Sequence, residues 1–306
     1  MDLLPFARVL YARNDEIDLA FETNYIEKVM PNAKPLNEVE LASIQKCKDA
    51  LSVCSDDSKW KRMGGTLNDS IEKYKYQLEG GRVAVKGVGK IHENSLVILA
   101  HIMNFASYER TDAHISSNGN LSRYCRFVEG SHTCHTSAEA SIPLINTRVF
   151  GSQFIWEKGF EGNDETYVIY CVDDKDILES EKHYLASAGA VAGTNNGMII
   201  LEVVAPRITK ITQIQIGDMN ITNISDKIRS VASNFIASYS LRSLDRMRSK
   251  YERKEELVDA ETRASFIARM GDVPEFSAAL KGAVSKAVKL ATDYDKDDGL
   301  KETKLK

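Results

Sequence analysis

The densest cluster of residues that could do chemistry is His132-Thr133-Cys134-His135. On a strand, alternate side chains share a face, so His132 and Cys134 point one way and His135 the other. Two ligands on a face fall short of the three or four of a zinc site, and no metal is expected. Gly87-Val88-Gly89-Lys90 has the look of a phosphate loop. The pattern GxxxxGK[ST] would need Gly at 84 and Ser or Thr at 91, whereas the chain has Ala84 and Ile91. GxSxG, HExxH and GxGxxG do not occur in a matching context. A nucleophile pair of Cys134 with a neighbouring imidazole stays open. So does acid–base work by His132, His135, Glu202, Asp218 or Arg148, which would require a shifted pKa and reach to a substrate. No catalytic residue and no cofactor is assigned.

Composition narrows the class. Apolar residues make up 43% of 306, enough for a sizeable core. The formal net charge of −4 offers no basic field for nucleic acid. The five cysteines (Cys47, Cys54, Cys125, Cys134 and Cys171) are odd in number and form no CxxC pair. That argues against a disulfide framework and fits a reducing, cytoplasmic setting. The first residues, MDLLPFARVLYARNDEIDLAF, lack the basic start and long apolar run of a signal peptide. No run of about 18 apolar residues is long enough to span a membrane.

The elements that would position a site follow from periodicity. Residues 1–78 read as a helical N-terminal extension, with Leu41, Ile44, Cys47, Leu51 and Cys54 on one face. After Glu79-Gly80-Gly81, residues 82–91 read as a strand. Asn94 or Ser95 caps a helix over 94–110. Strands are expected at 122–129, 132–141, 147–157, 165–173, 183–191, 196–204 and 208–217. Asn195-Asn196-Gly197 is read as the turn of a hairpin. A long helix follows at 223–252, with Ile224, Ile228, Val231, Phe235 and Tyr239 on one face. Arg246, Arg248, Lys250, Arg253 and Lys254 crowd its end, which is either a solvated helix terminus or a basic patch for transient contact with a membrane surface. Residues 254–306 form a helical, charged tail. Leu280–Leu300 loosely echoes Leu41–Trp60, which fits either a lead-in to another repeat or two unrelated helices. Residues 79–253 would be the central domain. Helices, a run of antiparallel strands and a long last helix define an α+β class.

In order and spacing, several blocks resemble START-like lipid-binding domains, particularly the divergent set of single-celled eukaryotes. The blocks are Val83–Ile91; Leu99–Arg110 with Tyr108-Glu109-Arg110; Gly130-Ser131-His132 followed by Ile142-Pro143-Leu144; Arg148-Val149-Phe150 with Ile155-Trp156; Gly197–Val204; and Gln215–Arg253. The chain departs from the family at Met219–Asn223, which lacks the Gly and Pro of the usual turn before the last helix. It departs again at Thr133-Cys134, where the family has an extended polar and aromatic run.

The resemblance implies a helix-grip fold of the START/Bet v 1-like kind: a curved antiparallel sheet gripping a long C-terminal helix over a hydrophobic cavity. It implies a lipid, sterol or similar hydrophobic small molecule as partner. Wall candidates are Phe150, Phe154 and Trp156 on one strand, against Val149 and Ile155 on its other face. In the next strand the choice lies between Tyr167, Ile169 and Cys171 and the opposite set of Val168, Tyr170 and Val172, with Tyr170 taken as a cavity candidate. The last helix would add Val231, Phe235 and Tyr239. Arg148 or Glu202, if buried, could hold a head group, since a buried charge needs a partner. Two other readings stand beside this one: a filled core whose surface binds a protein, and a helix-grip cavity enzyme of the cyclase or hydratase kind.

Overall fold

Strand alternation places two separate apolar sets on the two faces of one sheet, and each face needs its own cover. The computed structural model describes residues 17–64, 71–79, 82–118, 123–141, 146–174, 176–177, 189–220 and 241–252. By contact the chain divides into two compact units, Met1–Tyr251 and Glu252–Lys306. Apart from Glu252, everything described belongs to the first.

A helix α1 (17–24) continues into a π turn, Tyr25–Val29, and a 3-10 turn, Met30–Asn32. After α2 (Glu38–Ser52) come β1 (Lys61–Arg62), β2 (Ile71–Gln77) and β3 (Val83–Ile91). Then follow α3 (Ser95–Met103), α4 (Tyr108–Asn118), β4 (Arg123–Phe127), β5 (Thr133–Ala140), β6 (Arg148–Phe160) and β7 (Asn163–Asp173). The short β8 (Val191–Ala192), β9 (Thr194–Ala205), β10 (Ile208–Asp218) and α5 (241–252) complete the described chain.

The strands form one sheet in the order β1-β2-β3-β10-β9-β7-β6-β5-β4, with β8 parallel to β6. Every other pairing is antiparallel. The last strand closes back on β3, the strand before the two helices. This is an α+β helix-grip arrangement. The described chain ends in the helix α5.

One face of the sheet packs on α3 and α5 through Phe154, Trp156, Ile169, Leu201 and Ile211, against Leu99, Ile102, Leu244 and Met247. The other face packs on α2 through Ile155, Val168, Tyr170, Val172 and Ile216, against Ile44, Cys47 and Leu51. Gly87 sits under α5, where a Cβ would lie 2.5 Å from Leu244 Cδ1 and 2.9 Å from Leu241 Cδ2.

Several expectations need correction. Residues 61–62 and 71–77 are strands, not part of a helical extension. In β2, Ile71 joins one core and Tyr76 the other, so its period is two, and exposed Glu72 and Gln77 suit a strand near the sheet edge. The helix expected over 94–110 is two helices. Asn104, at φ −71 and ψ 58, ends α3. Asp18 of α1 then accepts from the N–H groups of Tyr108 and Glu109 (3.0 and 3.1 Å) and so caps α4. Asn195-Asn196-Gly197 lies inside β9, not in a turn. The Asn196 side chain accepts from Asp173 N–H, and β9 is paired on both sides, so sheet pairing overrides the local turn signal. The strand expected at 183–191 falls largely outside the described residues, as do 253–306 with the echoed segment.

In α2, Leu41 is exposed and Glu40 is buried, the reverse of a simple apolar stripe. Glu40 completes a capping box with Asn37 and also accepts from Ser131 Oγ (2.9 Å) and Thr133 Oγ1 (2.7 Å). Burial alone would raise its carboxyl pKa. The bonds from Asn37, Thr133, Ser131 and His132 outweigh burial and hold it below its ordinary 4.5. A carboxyl depressed on folding adds stability above its unfolded pKa and loses it as pH falls through the folded value. The melting temperature of the wild type should therefore fall more steeply between about pH 4.5 and pH 3 than that of Glu40→Gln. Parallel curves would contradict this role.

Candidate functional site

The concave face, between the sheet and α3, α4 and α5, is not completely filled. Described side chains border a cavity of about 200 Å³. β6 supplies Phe150, Ser152 and Phe154. Register places Ala138 beside Phe150 and Thr136 beside Ser152, and both also line the space. Ile102 and Phe105 from the α3 end, and Met247 of α5, lie across from the sheet.

The polar part of the wall has two ends. On β10, Gln213 and Gln215 share a face, and Asn195 of β9 lies diagonal to Gln215. Gln213 Nε2 donates to Gln215 Oε1 (3.1 Å), Gln215 Nε2 donates to Asn195 Oδ1 (2.6 Å), and Asn195 Nδ2 donates to Cys171 Sγ (3.3 Å). Three carboxamides thus form a directional ladder. Burial pushes the Cys171 thiol up to about 12, so this sulfur is an uncharged neighbour.

At the other end stand Arg110 and Arg123. Arg110 Nη1 donates to the carbonyls of His101 (3.0 Å) and Ile102 (2.9 Å) at the end of α3. Arg123 Nε donates to the Phe105 carbonyl, and its guanidinium stacks 3.6 Å from the Phe105 ring centre. Helix carbonyls without intrahelical partners are thereby satisfied. Glu139, fully buried, lies in the same wall.

Of the residues named from sequence, Phe150 and Phe154 border the cavity. Trp156 is on the same face but belongs to packed core. Its Nε1–H donates to Tyr25 Oη (3.0 Å), and His132 stacks on it at 4.0 Å. Tyr170 is a correction: it lies on the opposite face under α2, donating to Glu157 Oε1 with Lys48 over its ring. Odd and even positions of β7 face opposite ways, and Ile169 and Cys171 took the concave side. Glu202 is a second correction, because it forms a solvent-facing ion pair with Lys210 at 2.6 Å. Arg148 is buried, but it donates to the carbonyls of Met219 and Asn146, each at 2.7 Å, and does not border the described cavity. Val231, Phe235 and Tyr239 lie outside the described residues.

The acid–base candidates His132, His135, Glu202 and Asp218 are not among the described lining residues. The two ring nitrogens of His132 sit at the carbonyls of Trp156 (2.7 Å) and Lys34 (2.9 Å). Among the described residues, no group of three or more His, Cys, Asp or Glu side chains could hold a metal.

Sequence reading missed Gln213, Gln215 and Asn195. Their signal was the pattern Ile211-x-Gln213-x-Gln215, which reads as a solvent face when the opposite face, Ile214 and Ile216, is apolar. Both faces are covered here, so Gln213 is buried and Gln215 and Asn195 are half-buried.

A thiol pair borders this region. A hydrogen bond with the Cys134 thiol holds the Cys125 pKa below its ordinary value, helped by Arg123 and Arg110 and opposed by burial. Cys134 itself is raised, as are Cys47 and Cys171, which reach about 11 and about 12. Cys125 is also the one cysteine that is not buried. Native iodoacetamide labelling at neutral pH, read by peptide mass spectrometry, should modify Cys125 first. Uniform labelling of all five cysteines would contradict this.

Human StAR-related lipid transfer protein 5 aligns at 13% identity, covering 70% of this chain and 97% of that chain, with a TM-score of 0.48. The lipid transfer and protein localization domain of human StarD13 aligns at 12% identity over 71% of this chain and 98% of that chain, TM-score 0.45. In fold, the chain is similar to START domains. A Streptomyces aromatase/cyclase aligns more distantly, at 6% identity over 56% of this chain and 94% of that chain, TM-score 0.34. No protein-family model and no curated protein matches the sequence. Among the described residues, no helix is long and apolar enough to cross a membrane.

Proposed function

We propose that this chain binds a hydrophobic small molecule, such as a lipid, in the concave-face cavity. The observation that carries this reading is the unfilled space of about 200 Å³ bordered by Phe105, Phe150, Phe154, Ile102 and Met247. Protein interiors are normally close-packed. Left empty and closed, a space of this size costs on the order of 5 kcal/mol at roughly 24 cal/mol per Å³. A bound alkyl chain offsets that cost and gains about 0.8 kcal/mol per CH₂ taken from water. A bilayer offers the tail a similar environment, so the cavity is suited to lowering the barrier for moving a lipid rather than to trapping it. Transfer between membranes is the finer form of the proposal.

Filling the cavity tests the reading. Ala138 sits beside Phe150 and borders the space. Ala138→Trp should cut the uptake of a neutral fluorescent probe, Nile red, at least tenfold, with little change in melting temperature. Gly193→Val is an independent route to the same end. A Cβ there would clash with Phe150 Cε1 and lie 3.0 Å from the Asp218 carbonyl, so the Phe150 ring must move. Undiminished Nile red binding in both folded variants would remove the proposal.

A further inference from the structure

The cavity reading can be sharpened to a ligand class, because the wall has an unusual polar chemistry. Three of its polar groups are neutral carboxamides, Gln213, Gln215 and Asn195, held in a ladder by their own hydrogen bonds. A carboxamide nitrogen carries two hydrogens. Among the described bonds, Gln215 and Asn195 each use one hydrogen in the ladder, and the second can serve a guest. Neutral donors fixed by one another suit a neutral acceptor. They lack the charge that a phosphate or carboxylate needs when it leaves water.

The cationic end does not supply that charge to the same place. Arg123 lies on β4 and Asn195 on β9, separated in the sheet order by β5, β6 and β7. Four strand spacings of roughly 4.8 Å amount to about 19 Å along the sheet. Both arginines are also engaged: Arg110 by two α3 carbonyls, Arg123 by the Phe105 carbonyl and ring. The volume, about 200 Å³, falls below the roughly 300–1,000 Å³ of pockets for drug-sized molecules. A space of that size suits one short chain better than a two-chain lipid.

We propose that the cavity selects a neutral, single-chain amphiphile whose hydroxyl or carbonyl oxygen accepts from the Gln215 and Asn195 amides. This rests on the hydrophobic-ligand reading of the cavity. A fatty alcohol or a monoacylglycerol belongs to the class; a fatty acid anion or a phosphocholine lipid does not. Such a guest keeps every amide paired, whereas a plain alkane would leave two donors facing oil at the cost of unmade hydrogen bonds.

The test uses the full chain with Nile red bound, displaced in turn by 1-decanol, decanoate, decylphosphocholine and decane. Decanol should displace the probe at about tenfold lower concentration than any of the other three, the discrimination typical of one or two buried hydrogen bonds. In Gln215→Leu, decanol should lose that advantage over decane while Nile red still binds. Asn195→Leu serves the same purpose should Gln215→Leu not fold, and the wild-type ranking stands without either variant. Equal or better displacement by decanoate or decylphosphocholine would overturn the proposal and point to the arginine end as the head-group site. An unchanged ranking in a folded Gln215→Leu would also overturn it. Failure of Nile red to bind at all would instead remove the cavity reading beneath it.

Discussion

Replacing Glu22 with alanine is expected to destabilise the fold by about 3–5 kcal/mol, lowering the melting temperature by roughly 10 °C. Glu22 is 2% exposed. His101 Nδ1 lies 2.9 Å from Glu22 Oε1 and 3.3 Å from Lys250 Nζ, which is itself 3.6 Å from the same oxygen and 2.7 Å from Glu109. Four helices meet here: Glu22 comes from α1, His101 from α3, Glu109 from α4 and Lys250 from α5. Removing the carboxylate takes a partner from a buried imidazole nitrogen and one counter-charge from Lys250, which costs more than the intact network contributes. Glu22→Gln keeps the size and an acceptor, so it should cost about half as much. Burial holds the His101 pKa below its usual 6.5, against the pull of Glu22. A base depressed on folding stabilises above its unfolded pKa and loses that stability as pH falls, so the His101 contribution fades below about pH 6.5. Chemical denaturation at pH 7.5 measures the effect, and a loss under 1 kcal/mol for Glu22→Ala would rule out a structural role for the network.

Gly87→Val should be comparably damaging, and it acts on the same helix from the other side. The two leucines that a Cβ would strike, Leu241 and Leu244, are each 1% exposed and so have little space to yield. Overpacking of this kind costs about 1–3 kcal/mol, with more for a β-branched side chain between paired strands. The relief should come from α5 lifting off the sheet. Because Met247 of α5 also borders the cavity, ligand release should accelerate along with the loss of stability. In a double-mutant cycle, Leu244→Ala should recover part of the cost in the Gly87→Ala background, with a coupling of about 1 kcal/mol. Additive effects would mean that the helix does not rest on Gly87.

Much of the sheet was legible from sequence because its signal is local. The expected strands at 122–129, 132–141, 147–157, 165–173, 196–204 and 208–217 overlap β4, β5, β6, β7, β9 and β10. What failed was what depends on partners. Ile71–Gln77 has charged residues that suit a helix surface, and only pairing with β3 makes it a strand. Asn195-Asn196-Gly197 has turn chemistry but lies between two strands that claim its backbone. The choice of face was undecidable in β7, where both sets, Ile169 with Cys171 and Val168 with Tyr170, are apolar. The sheet is covered on both sides, so hydropathy carries no direction there. The same two-sided burial hid the amide ladder. Glu202 and Arg148 were chosen as charges that would need partners if buried; Glu202 faces solvent with Lys210, and Arg148 is buried but satisfied by main-chain carbonyls.

The central claim is that the concave face holds a guest. Native mass spectrometry of the purified full chain, followed by organic extraction of what is bound, tests it most directly. The account predicts a stoichiometric adduct with the mass of a neutral single-chain amphiphile, absent from Ala138→Trp. A protein that is bare under these conditions, and that also takes up neither decanol nor Nile red, would contradict it.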